Sequence, residues 1–207
     1  VDLRRAAATR YREIGLPGRT DEDWRHISLK DISRTEREVP AGPGAVSDEQ
    51  LESMAIADLD AIRLVMVDGF FVPEASEVSE LPVGVSIQGL HGVREEDREI
   101  VADGLQRDGL SGATGFEALN AAWFRDGIVL RVDPGVRVER PLHLLHVSTV
   151  HDSPAAVHPR VVVTTGRGSE FTVVEDHVAV AGSHDFVTAV VDLRLTQNSR
   201  IDWVRIV

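Results

Sequence analysis

Nineteen valines fall in residues 127–207, against three in residues 1–60, and no other feature narrows the fold as much. β-Branched side chains lose rotamer freedom in helices and pack well on a pleated surface, so the last third reads as sheet. The candidate strands are 128–132, 136–138, 142–147, 160–164, 170–177, 186–195 and 200–207. They are separated at Pro134-Gly135, Gly166-Arg167-Gly168, Gly182-Ser183 and Gln197-Asn198-Ser199. No gap is long enough for a crossover helix, which argues against a doubly wound α/β domain. Turns ahead of Val136, Phe171 and Ile201 recur after 35 and 30 residues, a weak internal repeat. Two architectures satisfy this pattern: a β-sandwich, and a β-helix whose coils share one valine-rich interior.

The first 126 residues differ in period and charge, and the composition shift after them is the expected domain boundary: 1–126 and 127–207. Leu3, Ala7, Tyr11 and Ile14 share one face of a helix over 2–14, stopped by Gly15-Leu16-Pro17-Gly18. Thr20 with Asp23 reads as an N-cap arrangement for a short helix carrying Trp24. Ser47 and Gln50 form a capping box ahead of an apolar stripe of Leu51, Met54, Ala55 and Leu59. Residues 62–67 and 70–72 flank Asp68-Gly69, a type I′ hairpin signal ended by Pro73. The acidic stretch 94–108 reads as a solvated helix. Phe116, Leu119, Asn120 and Trp123 predict a better buried one over 115–125, followed by a turn at Asp126-Gly127.

Composition removes several chemistries. The chain has no cysteine, so it holds no disulfide, no thiolate metal ligand and no cysteine nucleophile. Its only lysine, Lys30, follows no glycine-rich loop, which excludes a Walker A ATPase site. A formal net charge of −12 disfavours nucleic acid or an anionic membrane as main partner. No apolar run approaches the length of a membrane-spanning helix.

Among eight histidines, only His177 sits in a compact group with carboxylates, Glu175 and Asp176. On a strand Glu175 and His177 share a face with Phe171 and Val173, and Asp176 takes the other. The pair could bind a metal or move a proton, given a further ligand from elsewhere in the fold; a structural hydrogen bond is the plainer alternative. His143 and His146 fall on opposite faces of their strand, and His151 and His158 lie in loops. Ser111-Gly112-Ala113-Thr114-Gly115 precedes a helix and could present N–H groups to an anion, but it matches no phosphate-binding motif. Trp24, Trp123 and Trp203 read as packing residues. No residue is singled out as catalytic, cofactor-binding or metal-ligating.

The run GLPGRTDEDWRH at 15–26 resembles the GLP-x-R-x-[DE]-[DE]-x-W-[RK] signature of the SufB/SufD family, on its SufD branch. LVMVDGFFVPEAS at 64–76, FEALNAAWFRDGIVLRVDPGVRVERPLHLLHV at 116–147 and HPRVVVTTGRGSEFTVVEDHV at 158–178 resemble further blocks of the family in the same order. The resemblance implies a mainly β protein: a right-handed parallel β-helix, a single-stranded solenoid, preceded by an N-terminal α-rich α/β domain with a hairpin near 62–72. It implies that the chain is the N-terminal half of a longer cytoplasmic subunit.

It also implies a non-enzymatic scaffold of the SUF iron–sulfur cluster assembly machinery. That scaffold would pair with SufB through the β-helix and dock the SufC ATPase through a C-terminal segment. The nascent cluster would belong to the whole complex, with no cofactor in this chain. The family's interface histidine belongs to a later part of the β-helix, so no histidine here inherits that role. Two other functions fit the residues: a metal-binding or hydrolytic β-protein using Glu175 and His177, and a carbohydrate-binding β-helix. The second is weakened by the small number of aromatic residues.

Overall fold

A computed structural model describes residues 2–19, 21–93, 102 and 113–206. The architecture is mixed α/β, with helices toward the N-terminus and mostly parallel sheets. The N-terminal helices are α1 (Asp2–Ile14), α2 (Lys30–Arg34) and α3 (Asp48–Ser53), and α4 (Gly115–Trp123) follows the first strands. The strands before α4 are β1 (Ile62–Val67), β2 (Phe70–Phe71) and β3 (Val85–Gly89). Those after it are β4 (Ile128–Val132), β5 (Leu142–Ser148), β6 (Ala156–Val157), β7 (Arg160–Thr165), β8 (Glu170–Ala179), β9 (Phe186–Val187), β10 (Val190–Arg194) and β11 (Arg200–Ile206).

From β4 onward the chain visits three sheets in a fixed order. The first pass is β4, β5, β6; the second is β7, β8, β9; the third reaches β10 and β11. Each strand lies parallel to its counterpart one pass later: β4 to β7 to β10, β5 to β8 to β11, and β6 to β9. Pairs such as Ile201↔Phe171 and Val191↔Val161 put positions thirty residues apart side by side. The flanks are antiparallel: β3 borders β4, and β2 borders β1, which itself runs parallel to β5.

The valines explain the packing. Leu64, Leu130, Leu144, Val161, Val163, Phe171 and Val173 meet between the sheets in the main core. On the other face of the β1–β5 pair, Val65, Val67, Leu145 and Val147 are covered by Leu51 of α3. Strands buried on both faces read as near-continuous apolar runs, which is why 142–147 shows no clean alternation.

The hairpin forms as expected, with Asp68 at φ 49° and Gly69 at φ 83°, and Ser47 and Gln50 make the capping box of α3. Gly15, at φ 64°, ends α1, and the N-terminus of α4 comes so close that a Cβ on Gly115 would strike its carbonyl oxygen.

Several expectations need correction. The N-cap before Trp24 is Asp21, without a side-chain cap bond, and only a three-residue 3-10 turn follows; Thr20 lies outside the described residues. Ala55 and Leu59 lie beyond the end of α3. The buried face of α4 is Gly115, Ala118, Ala121 and Ala122 with Asn120, because small residues let α1 approach; Trp123 is 47% exposed. Asp126-Gly127 forms no turn: the buried Asp126 carboxylate accepts the amides of Phe71 and His91. Segment 136–138 contributes a single bridge at Arg137, and 186–195 is divided between two sheets. Short strands β3 and β6 were not foreseen. Apart from Ala102, the expected helix over 94–108 lies outside the described residues.

Buried polar groups tie α4 to the sheets. The Asn120 amide donates to the carbonyls of Pro159 (2.9 Å) and Thr188 (2.6 Å), and its oxygen accepts from Arg160, which also pairs with Asp192. Among the described residues, no helix is long and apolar enough to cross a membrane.

Candidate functional site

One face of the β5–β8–β11 ribbon changes character along its length. Leu144, Val173 and Trp203 face the core, and further along come His146, Glu175, His177 and Arg205. Parallel register makes the cluster. His146 pairs with His177 and Arg205 pairs with Glu175, while Glu175 and His177, two positions apart, share a face.

Glu175 is fully buried. Its Oε2 accepts from Trp203 Nε1 at 2.8 Å and Arg205 Nε at 2.7 Å; its Oε1 accepts from His177 Nε2 at 3.0 Å. Burial alone would raise this carboxyl, but the hydrogen bonds from His177, Arg205 and Trp203 prevail and lower it to about 2. The group is therefore a carboxylate at neutral pH.

The His146 and His177 rings stack with centroids 4.3 Å apart and planes 5° from parallel. His146 Nε2 lies 3.7 Å from Glu175 Oε1, beyond hydrogen-bonding distance, and among the described residues neither of its ring nitrogens has a hydrogen-bond partner. Burial, reinforced by neighbouring His177, lowers the His146 pKa to about 3, so the ring is neutral. A cavity of about 500 Å³ opens beside the cluster, lined by Met66, His146, His177, Asp185, Val187 and Arg205 among others.

A second group lies at the hairpin corner. Asp68 accepts Gly44 N (2.9 Å) on one oxygen, Thr149 N (2.8 Å) on the other, and Thr149 Oγ1 (2.6 Å). His151 Nε2 stands 3.4 Å from Asp68 and 3.9 Å from Asp185. The Asp185 carboxyl is raised, burial being the main cause. These bonds make Asp68 the tie between the Gly44 and Thr149 segments, at a corner where a Cβ on Gly44 would collide with Thr149.

The sequence pairing of Glu175 with His177 is present, and His143 does lie opposite His146, with its Nε2 3.6 Å from Asp176 Oδ2. His158, expected in a loop, is in one but buried, its Nδ1 2.6 Å from Thr188 Oγ1. In the glycine-rich stretch, Ser111 and Gly112 lie outside the described residues, and Thr114 caps α4 through a box with Glu117. Sequence reasoning missed His146, Trp203 and Arg205 as neighbours of Glu175. The signal was the repeat of about thirty residues: an offset of 30 sets Arg205 against Glu175, and an offset of 31 sets His146 against His177.

The family described as "SufBD protein N-terminal region" matches residues 1–144. The chain is 26% identical to an iron–sulfur cluster assembly SufBD family protein of Synechocystis sp., over 99% of this chain and 47% of that one. It is 26% identical to the iron–sulfur cluster assembly protein SufD of Escherichia coli, over 93% of this chain and 42% of that one. The chain spans about half the length of the relatives it matches.

Proposed function

The chain belongs to the SufBD family, and on that premise we propose that it serves as a non-ATPase scaffold in iron–sulfur cluster assembly. In this reading residues 127–207 are the first coils of a right-handed parallel β-helix, and 1–126 form the α-rich domain that precedes it. The observation that carries the reading is the fixed order in which the chain visits three sheets, with like strands side by side. A stack of this kind presents a stiff surface for a partner, each strand being held between like strands.

The absence of cysteine fits a division of labour in which a SufB partner supplies thiolates, and the absence of a Walker lysine fits ATP hydrolysis on a SufC partner. The scaffold carries out no reaction of its own. Its contribution is shape: conformational work in the ATPase would be passed to the paired coils.

Co-expression of the full chain with SufB and SufC, followed by affinity recovery through a tag on this chain, tests the proposal. Recovery of a stable assembly with SufB is expected. Recovery of neither subunit, under conditions in which a known SufD assembles, would overturn it.

A further inference from the structure

We propose that His146, Glu175 and His177 form a binding site for a divalent first-row transition ion, with Nε2 of each imidazole and Oε1 of the carboxylate as ligands. One donor atom from each of the three residues lies within 4.8 Å of the other two. A tetrahedral ion about 2.1 Å from its ligands sets them roughly 3.4 Å apart. The separations from Glu175 Oε1, 3.0 Å to His177 and 3.7 Å to His146, bracket that value. In the metal-free site His177 Nε2–H donates to Oε1 and the two rings stack, so binding moves that proton to Nδ1 and turns the half-buried His177 ring out of the stack, bringing its in-plane lone pair to the ion.

The independent observation is His146 itself. It is 6% exposed, and among the described residues neither ring nitrogen has a hydrogen-bond partner, an arrangement that costs free energy unless something accepts its lone pair. An ion at this position supplies the missing partner. Trp203 and Arg205 hold Oε2 from the far side, leaving Oε1 turned toward the histidines, as outer-shell partners do for metal-bound carboxylates.

The donor set selects the ion. Two imidazoles and one carboxylate oxygen suit Fe(II) or Zn(II) and are poor for Mg²⁺ or Ca²⁺, which prefer all-oxygen shells. Three protein ligands leave positions open, and the cavity of about 500 Å³ that both histidines line gives water or a small ligand access to them. The inference uses only this chain's own residues and does not rest on the assembly role.

The test is anaerobic titration of the metal-free full chain with Fe(II) and with Zn(II), and with Co(II) as a spectroscopic probe. One ion per chain at this site is expected, with a micromolar Kd, visible d–d bands for Co(II), and no displacement by excess Mg²⁺. His177→Ala, at the half-buried ligand, and His146→Ala should each weaken binding by about tenfold or more. His26→Ala, on an exposed histidine, should leave it unchanged. Circular dichroism of the metal-free variants establishes that they are folded; if His146→Ala is not, His177→Ala decides. Absence of micromolar binding, or binding unchanged in folded His177→Ala, would overturn the proposal.

Discussion

The successive passes over 128–206, the coils, and the stretch over 2–60 are built on different principles. In the coils, Val161, Val162 and Val163 are all at most 2% exposed, and burial is spread along successive strands. In the N-terminal stretch, α2 and the 3-10 turn at Trp24 bury nothing, and α3 attaches through one deeply buried side chain, Leu51. Coil stability is thus collective, each strand being walled by its counterparts one pass away. The N-terminal helices depend on single anchors, Ala7 in α1 and Leu51 in α3, and on the capping box of α3. A loss in the coils should be felt throughout the molecule, and a loss in the N-terminal stretch should stay local.

The sharpest way to break this comparison is Phe171→Ala. Phe171 is 2% exposed in the main core, and its truncation should destabilise the protein by about 3–5 kcal/mol in denaturant unfolding. A loss below about 1 kcal/mol would deny the coils their collective role.

The next effect is acid sensitivity seated in the coils. Burial lowers His158 from 6.5 to about 4. The unfolded chain takes up this proton near pH 6.5 and the folded chain does not until about 4, so the unfolded state binds more protons across that window. Stability should therefore fall as pH drops from 6.5 toward 4, by up to about 1.4 kcal/mol per pH unit for this group. His158→Gln should reduce the slope of unfolding free energy against pH within that window, leaving the part due to His146, and leave the slope above it unchanged. An unaltered profile would remove His158 from the account.

The smallest expected effect sharpens the other side. Ser47→Ala removes the cap that accepts Gln50 N and should cost about 1 kcal/mol. Hydrogen exchange should show the loss confined to α3, with the amides of β7 and β8 unchanged; protection lost across both regions would mean that they are one cooperative unit.

What the sequence made legible follows the same division. Most coil strands, the hairpin and the C-terminal end of α1 could be read because each rests on local chemistry: β-branched residues, positive-φ turn residues, a terminating glycine. The face of α4 was misjudged because periodicity favours large apolar side chains, whereas its packing against α1 selects alanine and glycine. The Glu175–His177 pair was legible because two positions on a strand share a face. Its neighbours were not, because Trp203, Arg205 and His146 arrive by register between strands, which the turn spacing hinted at but did not fix.

The three tryptophans also make the two regions optically separate. Trp203 packs against the coil core and donates to Glu175, Trp24 packs at a tilt of 42° against Phe116 with ring centroids 5.0 Å apart, and Trp123 is already about half in water. Intrinsic emission thus contains one reporter seated in the coils, one in the helical part and one background signal. Trp203→Phe and Trp24→Phe variants would assign each, so the loosening of either region could be followed in the unlabelled protein.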